Sequence, residues 1–319
     1  KIKNYTVTII SYHYVRPIKK SKHPNLKGLE VNDFEKQIKF LKKKFKILRC
    51  EEFLNVLKKG KIPKKPSFVL TFDDGYQDHY KYVFPILLKY KLNGFFYPIF
   101  IKGKSNRVLD VNKIQFILEN QKDKKLILKK IQYLYNKITN KKFNIKNFKK
   151  VRTKQRFDDN LSSSIKRILQ SQLPYKISKK IINILFKKFL NISEKDLKKK
   201  LYLNKEQILM MRKKGMFFGS HSISHTRLGL QKKNIQFKEI SKSTDVLKRN
   251  IQKENISICY PFGSYNNQTL GIAKKMKYKF GLTNNYGSID KHKLKNVIKD
   301  LYTEASERWY YLKRLDGRT

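Results

Sequence analysis

Short apolar runs, rich in β-branched and aromatic residues, alternate with amphipathic helical stretches over most of this chain. Residues 5–12, 67–72 and 95–101 each predict a buried strand. Between them, residues 51–59 predict a short helix that ends at Gly60. A repeated order of strand, helix, strand is typical of a parallel α/β fold, because parallel strands need helical crossovers.

Two further helices complete this first stretch, and the same alternation returns later in the chain. Asn32 is predicted to cap a helix that continues to about residue 45, and residues 76–90 are predicted to be helical with an interruption near Pro85. After residue 204 the predicted helices are 205–214, 234–251 and 268–277, and the predicted strands are 216–220, 256–260 and 280–283.

The middle of the chain lacks clear strands. Lysine-rich helical patterns occupy residues 125–138 and 178–190, and no apolar β-branched run separates them. We therefore expect an N-terminal part of the α/β domain at residues 1–103, a lysine-rich helical insertion at 104–204, and a C-terminal part at 205–319.

The charge balance is strongly basic, with 75 Lys and Arg against 24 Asp and Glu and a net charge of +51. Such a balance is typical of proteins that bind nucleic acids or anionic surfaces. Only 12 of the basic residues are Arg, the better reader of phosphates and bases, and the lysines are spread along the whole chain. No nucleic-acid-binding motif is present, so we predict no specific nucleic-acid partner. Anionic polysaccharide or peripheral association with an anionic membrane is at least as well supported.

Few features of the sequence bear on cellular location. No apolar run approaches the ~18 residues of a membrane span, and no signal-peptide pattern is visible, which favours a cytoplasmic or peripheral membrane location. The chain starts at Lys1, so earlier trimming and export stay open. Cys50 and Cys259 are too few for a disulfide framework or a thiolate zinc site. The oligomeric state is not predicted.

The first candidate motif is TFDDG at residues 71–75, where a predicted strand ends. Two adjacent carboxylates, Asp73 and Asp74, leave a buried strand at a glycine turn. They could divide the work, one binding a cation and the other moving protons. The alternative is an ordinary Asp-Gly turn. Asp158 and Asp159 form the same dipeptide in a polar stretch, and we assign them no role.

The second motif is GSHSISH at residues 219–225. On a turn of helix, His221 and His225 would present both rings to one face, a spacing that suits a divalent metal. The alternative is a surface loop with two unconnected histidines.

The third motif is CYPFGSYN at residues 259–266, an aromatic loop constrained by Pro261 and Gly263. Taken alone, it is more simply a rigid turn.

Together and in this order, the three motifs resemble those of the polysaccharide deacetylases of the NodB-homology type, carbohydrate esterase family 4. The resemblance covers about residues 5–101 and 206–314. The segment SYHYV at residues 11–15 also resembles the Y-H-x-V start of the branch that includes the poly-N-acetylglucosamine deacetylases. The resemblance implies a distorted (β/α) barrel and the hydrolysis of an N-acetyl group.

The resemblance also implies a role for each motif. Asp74, His221 and His225 would bind one divalent metal ion, usually zinc, and Asp73 would be the general base that takes a proton from the attacking water. One carboxylate and two imidazoles leave about +1 on a zinc centre, which suffices to bring the pKa of a bound water toward ~7. The substrate and oxyanion pocket would be formed by Tyr260, Pro261, Phe262 and Gly263.

Two further roles are assigned less directly. We prefer His13 as the general acid that protonates the leaving amine, although many relatives use a late histidine, for which His292 is the candidate. Many relatives also carry an arginine that orients the base in the third motif, where this chain has Tyr260. Arg314 could supply that guanidinium, or it could be a solvated C-terminal side chain. His79 is expected on a helix surface.

The leading hypothesis is therefore a metal-dependent hydrolase that removes an N-acetyl group from an acetamido sugar. The N-acetylated saccharide would belong to a surface polysaccharide, a lipid-linked saccharide or a precursor. The alternatives are a catalytically silent saccharide-binding relative and a basic nucleic-acid-binding protein. The sugar, its linkage and the acyl group stay open, and the ligand types do not separate zinc from other divalent ions.

Overall fold

The structure, a computed structural model, describes residues 6–100, 107–144, 158–284, 288–289 and 303–306. It divides into two compact units. The sheet unit comprises Lys1–Arg16, Gly28–Ser105 and Lys199–Thr319, and the helical unit comprises Pro17–Lys27 and Asn106–Lys198. The segment Pro17–Lys27 belongs to the helical unit, although the predicted insertion began only at residue 104. The division at residues 103 and 204 remains a proposal about domains.

The strands of the sheet unit are parallel and form one sheet. They are β1 (Val7–Tyr12), β2 (Lys46–Ile47), β3 (Ser67–Asp74), β4 (Phe95–Pro98), β5 (Phe217–Phe218), β6 (Ile258–Cys259), β7 (Gly281–Thr283) and β8 (Thr303–Ser306). Their order is β5-β4-β3-β1-β8-β7-β6, with β2 beside β3. A parallel bridge between Ser220 and Ile258 joins the two ends of this order and closes the ring. This confirms the predicted barrel, distorted because several strands are very short.

Helices lie between most successive strands. They are α1 (Val31–Lys44), α2 (Cys50–Lys59), α3 (Phe84–Lys89), α4 (Asp110–Asn120), α5 (Lys124–Thr139), α6 (Asn160–Arg167), α7 (Tyr175–Phe189), α8 (Glu194–Leu201), α9 (Lys205–Lys213), α10 (Lys233–Asn250) and α11 (Asn267–Lys275). Single π-helical turns precede α3 at His79–Val83 and follow α6 at Ile168–Gln172. No helix in the described ranges is long and apolar enough to cross a membrane.

Capping residues mark the ends of several helices. Asn204 and Gln207 cap α9 reciprocally, each side chain accepting the other residue's backbone N–H, and Gly60 ends α2 with a φ of 64°. The prediction that Asn32 caps α1 is wrong. The N-cap residue is Glu30, two residues earlier, and its side chain makes no capping hydrogen bond. The helix is anchored by its apolar face, where Phe34, Ile38 and Leu41 are buried.

Aromatic side chains from four neighbouring strands form a ladder on the outer face of the sheet. Tyr12 of β1 stacks on Phe72 of β3, Phe72 stacks on Phe96 of β4, and Phe96 packs against Phe218 of β5. The ring centroids are 5.4, 4.6 and 5.7 Å apart. This ladder packs with the buried residues of the surrounding helices, so it fixes the strands at the end where the candidate motifs lie.

Residues of the opposite parity fill the interior of the barrel. Val7 and Ile9 of β1 pack there with Val69 of β3. Side chains alternate along a strand, so the same inner face continues to Ser11 on β1 and to Asp73 on β3. The strand pattern therefore places polar groups on the inner face at the carboxyl ends of β1 and β3.

The helical unit is built around α7, which contacts α4 and α5. The buried Lys113 ammonium lies 2.7 Å from a carboxylate oxygen of Glu194 and donates a hydrogen bond of 2.8 Å to Asn183. The second Asp-Asp pair also has a structural place here. Asp159 caps α6 through the N–H groups of two following residues, and Asp158 pairs with Lys166 at 2.7 Å.

Candidate functional site

The candidate residues lie where four strands of the barrel end; β1 lies beside β3, and a bridge joins the end of β5 to β6. His13 directly follows β1, Asp74 is the last residue of β3, His221 comes three residues after β5, and Tyr260 directly follows β6. Parallel strands place these carboxyl ends at one edge, which is where α/β barrels carry their sites.

A compact cluster joins the first and second motifs. The Nε2 atoms of His221 and His225 lie 3.5 and 3.4 Å from Asp74 Oδ1. One ligand atom from each of the three residues lies within 4.8 Å of the other two. Asp74 and His221 are buried, and His225 is partly buried, so the cluster is largely shielded from water.

The chemistry of these three atoms suits a cation. His221 Nδ1 donates a hydrogen bond of 2.7 Å to the Cys259 carbonyl, which turns Nε2 toward Asp74. Asp74 Oδ1 is buried and has no hydrogen-bond partner in the described part of the chain. Three acceptor atoms that converge without a donor between them repel one another unless positive charge is added. These residues therefore fit a divalent metal ion.

The pKa shifts point to the same need for positive charge. Burial would raise the pKa of Asp74, but His221, His225 and His13 outweigh it and hold that pKa well below its usual value. Burial would also lower the pKa of His221, but Cys259 and Asp74 hold it well above the usual value. For His225 burial dominates and lowers the pKa to about 3. The cluster thus attracts one positive charge, either a proton on His221 or a metal ion in its place.

The histidine motif reaches this geometry without a helix, so the helical interpretation of its spacing is wrong. Ser222 and His225 adopt left-handed backbone conformations with φ values of 62° and 53°. The Glu239 carboxylate of α10 accepts the N–H groups of Ile223 and Ser224, and Ser222 Oγ accepts the His225 N–H at 3.1 Å. A looped backbone, held by a carboxylate from a distant helix, turns both rings toward Asp74.

Asp73 lies next to the cluster without belonging to it. Its side chain is buried, and Ser11 Oγ donates a hydrogen bond of 2.6 Å to Oδ2. Its other oxygen, Oδ1, is buried and accepts no hydrogen bond from the described residues. Asp73 therefore has one oxygen held by Ser11 and one oxygen without a hydrogen bond from the described residues.

The turn after β3 fixes Asp74. Tyr76 donates a hydrogen bond of 2.7 Å to Asp74 Oδ2. The other carboxylate oxygen, Oδ1, therefore faces the histidines. Asp74 and Gly75 both have left-handed backbone conformations, with φ values of 68° and 67°. A Cβ atom at Gly75 would lie 2.7 Å from the Pro98 Cβ, so a larger residue would not fit there.

His13 lies at the edge of the site with its side chain 51% exposed. Its Nε2 atom is 3.9 Å from Asp73 Oδ2 and 4.0 Å from Asp74 Oδ2. His79 lies beneath it, and its Nε2 atom donates a hydrogen bond of 2.8 Å to the His13 carbonyl oxygen.

The expectation that His79 lies on a helix surface is wrong. Its side chain is completely buried between the rings of Phe72, Tyr76 and Phe96. Burial lowers the pKa of His79 to about 4, so the ring is neutral near pH 7.

The third motif forms a tight turn beside the histidines. The Tyr260 N–H donates to the Leu282 carbonyl and the Gly263 N–H donates to the Tyr260 carbonyl, while Pro261 has no N–H. The Phe262 N–H is thus the free donor of this turn within the described residues. Phe262 has a left-handed backbone with a φ of 57°, and its ring centroid is 4.5 Å from that of His225.

Two candidates from the sequence, Arg314 and His292, lie outside the described residues. Other residues of the site, Ser11, Tyr76 and Glu239, were not predicted from the sequence. Ser11 could have been found, because it precedes His13 by two and shares its face of the strand. No sequence pattern predicted Tyr76 or Glu239. The hydrogen bond of Tyr76 to Asp74 depends on the shape of the turn after β3, and the hydrogen bonds of Glu239 to the histidine motif depend on how α10 packs.

Fold and site together form an α/β barrel with an Asp-His-His cluster at the carboxyl ends of its strands. The family model described as "Polysaccharide deacetylase" matches residues 60–281. The chain therefore belongs to the polysaccharide deacetylase family.

Individual relatives agree with this assignment. The poly-beta-1,6-N-acetyl-D-glucosamine N-deacetylase of Staphylococcus aureus (strain MSSA476) is 36% identical over 103 residues, which cover 29% of this chain and 35% of that protein. The match therefore spans about a third of the length of this curated relative.

Solved structures share the fold at low sequence identity. The Streptococcus pyogenes deacetylase PplD in complex with acetate has a TM-score of 0.56 at 19% identity, covering 96% of this chain and 93% of that one. IcaB from Ammonifex degensii has a TM-score of 0.55 at 13% identity, covering 97% and 94%.

Proposed function

We propose that this chain hydrolyses the N-acetyl group of an acetamido sugar in a surface polysaccharide, a lipid-linked saccharide or a precursor. The observation that carries the proposal is the convergence of Asp74, His221 and His225 within 4.8 Å, beside a second buried carboxylate, Asp73. Family membership and the name of the Staphylococcus aureus relative support the same activity.

The three clustered residues would hold one divalent ion, with zinc favoured because two imidazoles and a carboxylate suit it. When bound, such an ion lowers the pKa of a water molecule and polarises a carbonyl group. Asp74 contributes the negative charge, and the hydrogen bond from His221 Nδ1 to the Cys259 carbonyl fixes the orientation of that ring.

Asp73 is proposed as the general base. Ser11 holds Oδ2, so Oδ1 is left to accept the proton of the attacking water. A base needs to be near the cation site without being consumed as a ligand, and the separate hydrogen bonding of Asp73 supports this division from Asp74.

The Phe262 N–H is proposed as the protein donor to the oxyanion. In the turn from Tyr260 to Gly263, two of the other residues donate their N–H groups to backbone carbonyls, and the proline has no N–H. Of the four residues expected to form the oxyanion pocket, only Phe262 therefore has a backbone N–H that can serve as the donor. A backbone donor held in a rigid turn stabilises developing negative charge without reorganising during the reaction.

His13 is proposed as the acid that protonates the leaving amine. Its half-exposed ring lies within about 4 Å of both carboxylates, so it can face a substrate that enters from solvent. The hydrogen bond from His79 would fix the backbone that carries it.

His79 gives a test of that placement. We expect His79→Phe to lower kcat about five- to tenfold with little change in KM, because the ring still fills the apolar site but loses the donor to the His13 carbonyl. His79→Gln keeps an N–H donor and should retain most of the activity. Both rate constants and the melting temperature would be measured. Equal losses of kcat in two variants of unchanged melting temperature would contradict the role.

The activity itself is tested by acetate release from purified protein with added zinc or cobalt. The panel contains chitin oligomers, β-1,6-linked N-acetylglucosamine oligomers and peptidoglycan fragments. We expect release from at least one acetamido saccharide, with a matching free amine for each acetate. Saccharide binding without acetate release across the panel would instead indicate a silent relative and overturn the proposal.

A further inference from the structure

Arg227 lies beside the candidate site without a role in the reaction described above. It follows the histidine motif by two residues, and its Cζ atom lies 4.2 Å from the centroid of the Phe262 ring. The Phe262 ring is in turn 4.5 Å from the His225 ring. The guanidinium is therefore one aromatic ring away from a residue of the metal cluster.

The charge of Arg227 is not balanced by the protein. Its side chain is half-buried, its Nε atom is fully buried, and that atom has no hydrogen-bond acceptor among the described residues. No described carboxylate forms an ion pair with it, whereas Arg16 of the same unit lies 2.6 Å from Asp78. Burial lowers the pKa of Arg227 below its usual value. An arginine nevertheless stays charged near neutral pH.

The stacking on Phe262 provides an attraction for the positive charge of Arg227 but no hydrogen-bond acceptor for its N–H groups. A ring face attracts the cation, but it accepts none of the planar N–H donors of the guanidinium in the way an oxygen atom does. Carboxylate and phosphate oxygens match that fork of donors and carry the missing negative charge. An oxyanion is therefore the chemical group that best complements this guanidinium.

We infer that Arg227 binds an anionic substituent, a carboxylate or a phosphate, on the acetylated saccharide. The inference rests on the proposed function and narrows its substrate class to acidic or phosphorylated acetamido saccharides. The net charge of +51 would draw such polyanions toward the protein, while Arg227 would select those whose charge lies next to the acetyl group.

The test compares substrates that share one backbone. Carboxymethyl chitin oligomers and 6-phosphorylated chitin oligomers are anionic, and glycol chitin oligomers are neutral with a side group of similar size. We expect the native protein to prefer an anionic form in kcat/KM. Arg227→Gln should lower the anionic-to-neutral ratio about tenfold or more, because it removes a charged hydrogen bond. The larger loss identifies carboxylate or phosphate as the preferred group.

Arg212→Gln is the matched control. Arg212 also lies over a phenylalanine ring, with its Cζ atom 5.1 Å from the Phe217 centroid, but it precedes β5 at the amino end of the strand. Its replacement removes the same general charge and should leave the ratio unchanged. An equal drop in this control would assign the preference to diffuse charge and overturn the inference.

Two other outcomes separate the inference from the proposed function. If Arg227→Gln lowers kcat/KM equally on neutral and anionic oligomers, Arg227 only supports Phe262, and the inference fails while the deacetylase activity stands. If no oligomer is hydrolysed, the proposed function fails on this panel. Dissociation constants for the carboxymethyl and glycol oligomers then decide, because a selective loss of anionic binding in Arg227→Gln would still support the anionic site.

Discussion

His225→Ala is expected to remove both the bound divalent metal and the acetate-releasing activity. The His225 Nε2 atom lies 3.4 Å from Asp74 Oδ1 and completes the three-atom cluster. Changes that only touch the residues behind metal ligands cost about 10–100-fold in metal affinity, so loss of a ligand should cost more than about 100-fold. Calorimetric titration of zinc into metal-free protein measures the affinity directly, independent of any substrate.

Asp74→Asn serves as the companion variant, because it keeps the shape of the side chain while removing the negative charge from the cluster. It should lose zinc affinity to a similar extent. His23→Gln is the control, because His23 lies in the helical unit and outside the cluster, and it should bind zinc as the native protein does. Native-like zinc affinity in a folded His225→Ala protein would exclude this ligand set.

The barrel could be predicted from the sequence because its signal is local. Each buried strand is a short apolar run, and the run that ends at Asp74 lies in the sequence where the structure has β3. Parallel strands also place their carboxyl ends together by geometry alone. The grouping of Asp74, His221 and His225 was implied by the resemblance of the motifs to those of the polysaccharide deacetylases, and the positions of these residues after predicted strands agree with it.

The conformations inside the site could not be predicted in the same way. A spacing of four between His221 and His225 suits a helix, but Ser222 and His225 have positive φ values, and Glu239 from α10 binds the intervening N–H groups. That carboxylate is distant in the sequence, so no local pattern encodes it. The strain of such backbone conformations persists only where surrounding contacts fix them, which is common at functional sites.

The burial of His79 is a second feature that could not be predicted from the sequence. Its surroundings in the sequence predict a helix, and helical periodicity alone does not distinguish a buried polar residue from an exposed one. The His13 carbonyl that accepts its hydrogen bond belongs to the residue directly after β1, 66 residues earlier in the chain. The burial of His79 is therefore a property of how β1 and β3 lie side by side.

Asp73→Asn is expected to lower kcat by about 10²–10⁴-fold while zinc affinity stays close to native, since a general base contributes about that factor. The replacement keeps the shape of the side chain and can still accept the hydrogen bond from Ser11, but an amide cannot take a proton from water at neutral pH. Single-turnover acetate release and zinc titration on the same preparation measure the two effects separately.

Ser11→Ala distinguishes loss of the base from its misplacement. This variant keeps the Asp73 carboxylate but removes the hydrogen bond to Oδ2, so it should cost only about tenfold in kcat. Parallel loss of zinc and activity in Asp73→Asn would make Asp73 a ligand, and unchanged kcat would exclude it as the base. A large loss in Asp73→Asn with a small loss in Ser11→Ala, both at native zinc affinity, would support the Asp73 carboxylate as the base, because neither side-chain shape nor metal binding then explains the loss.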